Sequence, residues 1–246
     1  GSLRMEGVSN YPQVETIEQW KQQPEEYKEA CCKLVISHAI NELYGSRVYD
    51  EPAIALAPTP YAKWLTCRVV MEEYGHHYRF FELGREMGIP EKTMLPEMSE
   101  KLPLSIMKLD LTTWEEFCVI KMLGDLGEIL HVEDLVQCSF HPLRNLARMT
   151  MPEEHFHSEF GTNFCTEICG NEEGRETIQK AINYIFPHLP YFFGQSGSKN
   201  NEIYRKWGLK KRTNEDMRED YMDRAKAVVD KLNLTLPEMD LSIYDA

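Results

Sequence analysis

The chain predicts an all-α fold: a bundle of four long helices joined by one long crossover, with additional helices at the C-terminal end. Two observations predict it. The first is a pair of Glu-x-x-His spacings, Glu73 with His76 and Glu154 with His157, each on its own long helical segment. Residues i and i+3 share a helix face, so each pair can bring a carboxylate and an imidazole to one point. The second is the punctuation: prolines and glycines cut the chain into two long segments, a long connection over 88–112, and two more long segments with a short turn.

Taken in order, residues 3–24 read as irregular, with Pro12 and Pro24 as breakers, and Gly1-Ser2 reads as a cleavage scar. Residues 1–24 therefore stand apart from a single domain over 25–246. A first helix is expected over 25–44, with Leu34, Val35, Ala39 and Leu43 as apolar positions, Glu42 among them and Gly45 fitting its end. A connection rich in proline follows (Pro52, Pro58, Pro60), then a second helix over 59–87 that stops at Gly88 with Pro90 beyond. Residues 88–112, with Pro90, Pro96 and Pro103, are long for a loop and fit a crossover. Thr113 followed by Glu116 is a capping-box pattern that opens a third helix running to Ser139. A fourth helix is expected over 143–168, and Pro152 inside it predicts a kink just before Glu154. Two more helices are expected over 173–184 and 214–232, with a polar surface loop at 194–201 between them. Core helices of this length span roughly 38 Å at about 1.5 Å per residue.

Composition narrows the function. Hydrophobic residues are 42% and aromatics 11%, enough for a substantial core. The net charge of −13 speaks against nucleic acid, whose recognition uses a basic face. No apolar run reaches the roughly 18 residues of a membrane span, and no secretion signal opens the chain, so a cytoplasmic protein is expected. The seven cysteines are odd in number and lack a C-x-x-C pair, which fits buried free thiols. Cys165 and Cys169, four apart on one helix face, have no His at partner spacing and read as structural.

The chemistry lies in the helical faces. A lone Glu-x-x-His is more often a solvated face; two of them, with further acidic residues on apolar faces, reverse that. Two such helices plus one inward carboxylate from each of two others make a dinuclear carboxylate site. Glu42 supplies the first helix. On the third, Asp125 in its apolar stretch is the best candidate, Glu128 one turn later shares its face, and Glu133 is a rival. A buried, unpaired carboxylate costs several kcal/mol, so such residues imply a cation or metal partner. Four carboxylates and two imidazoles suit two iron or manganese ions in charge and in ligand hardness. Glu72 and Glu153 point about 100° away from the ligand Glu that follows each, and read as non-ligands. His77 and His155 are also off the face, and His38, four before Glu42, reads as a packing or supporting residue. The aromatic runs Tyr78, Phe80, Phe81 and Tyr191, Phe192, Phe193 read as core. The basic cluster Arg205, Lys206, Lys210, Lys211 and Arg212 reads as a solvated run flanking a helix, with an anion site as the sharper alternative.

These residues resemble the family of catalytic α subunits of bacterial phenylacetyl-CoA 1,2-epoxidase, over roughly residues 25–241. The resemblance is carried by His38-Ala-Ile-Asn-Glu42, Glu73-Tyr-Gly-His76, Leu123-Gly-Asp125, Glu153-Glu-His-Phe-His157, the tail from Trp207 to Asp216, and the segment from Leu234 to Leu241. It implies a ferritin-like bundle with two Fe ions held by Glu42, Glu73, His76, Asp125, Glu154 and His157, which supports Asp125 over Glu128. It implies addition of one oxygen atom from O₂ across an aromatic ring bond of an aryl-CoA thioester. It further implies a separate flavin and iron–sulfur reductase as electron source and a related non-catalytic partner subunit; a homo-oligomer is also compatible. Ser198, Asn200, Lys210 and Asn214 match positions that contact CoA, which raises the anion reading of the basic cluster. The chain departs from the family at Lys33 and Ser37, where the family has Arg and Gln near the CoA, and at Leu102, where it has Lys. Lys33 is retained as the matching substrate contact. Rival readings are a di-iron hydroxylase or N-oxygenase without CoA, a non-catalytic scaffold protein, and iron storage.

Overall fold

Apolar side chains and the ligand residues alternate in layers along the helices, and that layering defines the architecture. In the computed structural model, which describes residues 10–96 and 109–245, the chain is a ferritin-like helical bundle. Among the described residues there is no strand, only an isolated bridge between Val14 and Phe140. Leu102 lies outside the described residues.

A short helix α1 (Ile17–Lys21), closed by a Thr16–Gln19 capping box, stands within the segment expected to be irregular. The first core helix, α2 (Glu25–Gly45), does not end at Gly45 as expected. Gly45 stays right-handed at φ −57°, and the helix widens into a π turn (Ser46–Asp50) before continuing as α3 (Glu51–Leu56). Pro52 falls just after the π turn, where the ladder has already shifted and a missing N–H is tolerated. The second core helix, α4 (Pro60–Glu86), starts on a Thr59 cap with proline in its first turn. A one-turn helix α5 (Glu91–Met94) follows.

The third core helix opens at α6 (Trp114–Val119) on the expected Thr113–Glu116 capping box. It too contains a π turn (Ile120–Gly124) and resumes as α7 (Asp125–Leu135), ending short of Ser139. The fourth, α8 (His141–Ile168), runs unbroken through Pro152. Then come α9 (Glu172–Ile185), a 3₁₀ segment (Phe186–Phe193), α10 (Lys199–Lys206) and α11 (Asn214–Asp230). The surface loop at 194–201 thus gives way to a helix from Lys199, capped by the Ser198 hydroxyl. It leaves the 3₁₀ segment through Gly194 at φ +71°, a conformation that favours glycine.

α2 packs along α4, and the third core helix along α8; the two pairs meet through α4 and α8. Gly161 sets the closeness of the second pair, because a Cβ there would run into the backbone of Cys118 and Met122 at the π turn. Two apolar clusters fill the bundle. One gathers Tyr27, Leu34, Val35, Phe80, Leu83, Val132 and Leu143; the other gathers Tyr44, Val69, Phe117, Leu123, Phe160 and the C-terminal helices. On α2, α4 and α8 the expected ligands sit between the two clusters. Of the aromatic runs, Phe80 and Phe193 are core, while Tyr78 and Tyr191 are exposed. The thiols are all free; five are buried, and Cys67 is exposed.

Candidate metal centre

The six residues expected as ligands converge at mid-bundle. Glu42 comes from α2, Glu73 and His76 from α4, Asp125 from the first residue of α7, and Glu154 and His157 from α8. All are buried. They form two groups whose ligand atoms lie within 4.8 Å of one another: Glu42, Glu73, His76, Glu154, and Glu73, Asp125, Glu154, His157. Glu73 and Glu154 belong to both, as two carboxylates shared between adjacent metal positions would. Glu128 belongs to neither group, whereas Asp125 belongs to the second. Glu133 is tied up elsewhere, in a two-pronged pair with Arg224 at 2.7 and 2.9 Å.

The histidines are arranged in mirror fashion. His76 directs Nδ1 inward, 2.9 Å from Glu154 Oε1, and its Nε2 outward to Glu153 Oε1 at 3.3 Å. His157 directs Nδ1 inward, 2.6 Å from Glu73 Oε1, and its Nε2 to Glu72 Oε1 at 2.9 Å. Each outer carboxylate therefore steadies the imidazole of the opposite helix. Arginines from α4 fix those carboxylates in turn: Arg68 Nε bonds Glu72 at 3.1 Å, and Arg79 Nη1 bonds Glu153 at 3.2 Å. Outer partners of this kind set the tautomer and orientation of a metal-binding His.

Electrostatics test whether this set fits a metal. Burial, and next the Glu73 charge, push Glu154 up to about 7 and Glu42 well above the ordinary carboxylate range. Burial works against charge on His76, but the Glu153 and Glu154 carboxylates beside it overcome it and hold the imidazolium far up. Protons thus substitute for cations. Both Glu154 oxygens and His76 Nδ1 are buried without a hydrogen bond among the described residues. Orphaned buried polar atoms are rare and call for an explanation. Oxygen and imidazole donors aimed at two adjacent points fit hard divalent ions such as iron or manganese.

Sequence reasoning missed a second buried charge system beside the ligands. Lys121 Nζ lies 2.7 Å from Asp50, 3.2 Å from Asp125 and 3.6 Å from Glu73, and both Lys121 and Asp50 are buried. The two meet because each comes from one of the π turns. Burial opposes the Lys121 charge, but Asp125 and Asp50 raise its pKa well above the usual lysine range; burial lifts Asp50 to about 7 against the pull of Lys121. A signal was present, since Lys121 interrupts the apolar run from Cys118 to Leu123 four residues before Asp125. Lys121 and Asp50 face each other as opposite charges, and the cluster of candidate ligand carboxylates lies beside them.

Two cavities adjoin this centre. An inner chamber of about 60 Å³ touches Glu42, Glu73 and Asp125. An outer cavity of about 190 Å³ gathers Ser198, Asn200, Lys210 and Asn214 with Ser37, His38 and His131. Four of the five expected substrate contacts therefore share one cavity. Lys33 is on the exposed face of α2, where its Nζ donates to Asn200 Oδ1 at 3.3 Å. His38 stacks on Phe80 at 5.1 Å and meets His131 edge-on at 6.4 Å, as a packing residue that also lines the cavity. The basic cluster is largely committed to the fold: Arg205 bonds Asn201, Lys206 pairs with Glu26, the Lys211 backbone donates to Asp134, and Arg212 pairs with Asp134 and Asp220. Lys210 alone of the five faces the cavity.

Comparison with known proteins bears on the same site. A family model described as "Phenylacetic acid catabolic protein" matches residues 6–244. A protein of Escherichia coli (strain K12), named as one of the subunits of 1,2-phenylacetyl-CoA epoxidase, is 25% identical over 234 residues, covering 93% of this chain and 75% of its own length.

Proposed function

The chain belongs to the phenylacetic acid catabolic protein family, and from that premise we propose that it is a di-iron monooxygenase acting on the aromatic ring of an aryl-CoA thioester. The observation that carries the reading is the pair of ligand groups sharing Glu73 and Glu154 beside a cavity system. Glu42, Glu73, His76, Asp125, Glu154 and His157 would hold two iron ions, which would activate O₂ with two electrons from the reductase, one oxygen atom passing to the ring and the other leaving as water. The chain's own residues do the rest. Glu72 and Glu153 keep the imidazoles in the tautomer with Nδ1 free to bind, and Lys121 with Asp50 holds the charge balance. The two apolar clusters keep water from the ligand layer, and Lys210, Ser198, Asn200 and Asn214 take the polar part of the substrate. The E. coli relative is named as one component of an epoxidase; by analogy a flavin and iron–sulfur reductase delivers electrons and a non-catalytic partner subunit completes the system. The complete ligand set speaks against a scaffold role, which has no use for six polar groups in an apolar core.

Anaerobic Fe(II) titration followed by turnover of phenylacetyl-CoA under ¹⁸O₂ with a reductase tests this. Two irons per chain and one ¹⁸O in the ring product are expected, and Glu154→Ala or His157→Ala loses both iron and product. A mutant that keeps both, or a wild type that binds no iron, refutes the assignment.

A second reading is a di-iron hydroxylase or N-oxygenase whose substrate carries no CoA. It is favoured by one observation: with the other four basic residues committed to contacts within the fold, Lys210 is the cation of that cluster left to meet phosphate. Absence of CoA binding in calorimetry would select it.

A further inference from the structure

The inner chamber and the outer cavity share a wall. Asn41, Glu128 and Phe192 line both. Phe192 is held in place: its carbonyl accepts a hydrogen bond from His131 Nε2 at 2.9 Å, and His131 stacks on Phe193 at 5.0 Å. The two polar members are not held. Neither the Asn41 amide nor the Glu128 carboxyl has a hydrogen-bond or ion-pair partner among the described residues. Both side chains open onto the cavities and make no hydrogen bond among the described residues, and an amide and a carboxyl left free at the junction of two cavities are placed to meet a ligand.

Their register says which part of a ligand they would meet. Asn41 precedes ligand Glu42 on α2, and Glu128 lies three residues beyond ligand Asp125 on α7, about 4.5 Å of helix rise outward. Both stand one step outside the ligand layer, on different helices. In an arylacetyl thioester the carbonyl is one methylene behind the ring. With the ring at the ligands, the carbonyl falls at this wall.

Resting on the aryl-CoA reading, we propose that Asn41 and Glu128 are specificity-determining residues: they hold the thioester carbonyl oxygen between them, with the aryl group inward and the CoA chain in the outer cavity. The Asn41 amide is a donor at any pH. Burial raises the Glu128 carboxyl above the ordinary range, which favours the protonated form that can donate. The wall also explains how a ring enters. The inner chamber, about 60 Å³, is smaller than the roughly 150 Å³ that admits benzene in an engineered core. Asn41 and Glu128 can swing aside without breaking a protein hydrogen bond, and the bond to the carbonyl is made as the ring passes.

The test compares phenylacetyl-CoA with S-(2-phenylethyl)-CoA, the thioether in which a methylene replaces the carbonyl, and with CoA, by calorimetry on Fe(II)-loaded protein kept free of O₂. Wild type is expected to bind the thioester about tenfold more tightly than the thioether, the worth of one or two net hydrogen bonds. The double variant Asn41→Leu with Glu128→Leu, which removes both donors, should bring that ratio close to one, and Glu128→Leu alone should leave about threefold, the share of the Asn41 amide. Glu128→Gln, which keeps a donor, should hold the ratio near its wild-type value. A wild-type ratio of one overturns the proposal without any variant. So does a Leu variant with an unchanged ratio, or one that weakens all three ligands equally. If wild type binds neither thioester nor thioether, the aryl-CoA reading falls and the carbonyl role falls with it; binding of both with no dependence on Glu128 overturns the carbonyl role alone.

Discussion

Replacing Lys121 with Met separates charge from packing at the centre. Methionine keeps the length and apolar stem but removes the cation that Asp50, Asp125 and Glu73 surround at 2.7, 3.2 and 3.6 Å. At an effective dielectric of about 20, the Asp50 contact alone is a gross attraction of about 6 kcal/mol. Desolvation of both ions offsets most of it, and Asp50, whose pKa burial has raised to about 7, escapes part of the loss by taking a proton. Breaking a buried pair by removing one partner costs about 3–5 kcal/mol, and the lower end is expected here. In a chain of this size that corresponds to a fall in melting temperature of roughly 6–12 °C. The loss should shrink when iron or manganese is bound, because the metal then neutralises Glu73 and Asp125 and only Asp50 is left bare. The double variant Lys121→Met with Asp50→Leu should therefore regain most of the stability in the metal-bound protein and less in the metal-free one. Thermal and urea unfolding by circular dichroism, with and without Mn(II), reads all four states. A single variant within about 1 kcal/mol of wild type without metal, or a double variant no better than the single, would refute the reasoning.

Three further outcomes follow from the same geometry. Glu72→Ala removes the carboxylate that steadies His157 Nε2, and metal affinity measured by chelator competition should fall about 10–100-fold with the ligands intact; unchanged affinity sinks the supporting role. His38 is held neutral by burial and then by the Lys210 charge, which take its pKa down to about 3. Its folded value lies below the unfolded one, so the unfolded chain binds the extra proton and stability is lost as pH falls from about 6.5 towards 3, by roughly 2 kcal/mol at pH 5. His38→Phe should remove that share of the acid sensitivity, leaving the part due to His131, and identical pH profiles would contradict it. Cys67 is the exposed thiol, so a maleimide pulse on native protein should label it first, with the buried cysteines reacting only on unfolding.

The legible part of the fold was the part written in spacing and caps. The Thr113–Glu116 capping box, the Glu-x-x-His pairs and the proline breaks lie within a few neighbouring residues, so they survive without knowledge of the partner helices. Gly45 shows the limit. A glycine after an apolar helix is a common stop, yet here it remains helical, because the chain beyond it makes a π turn and packs on. Nothing within four residues of Gly45 distinguishes the two outcomes; contacts of α2 and α3 with α4 decide it. The helix from Lys199 was obscured in the same way, since its polar sequence resembles a loop until Asn201 is buried against Arg212.

The site was legible to a different depth at each shell. Helical period turns Glu72 and Glu153 about 100° from the residues that follow them, and neither joins a ligand group. The same rotation that removes them from the centre aims each at the outer nitrogen of the histidine on the other helix. The period thus gives the direction of a side chain, but what lies in that direction depends on how α4 and α8 face each other, which one helix alone does not encode. Lys121 is further out of reach. A π turn adds one residue to the helix, so positions on either side of it no longer share the face that a 3.6-residue count assigns. Both π turns lie on the inner side of the bundle, next to Glu42 and Asp125. There the extra residue brings Asp50 and Lys121 into the core as a pair, in a layer where an unmatched charge would be costly. Buried ions that look like errors in an apolar helix pattern are, at these two positions, the complement of each other.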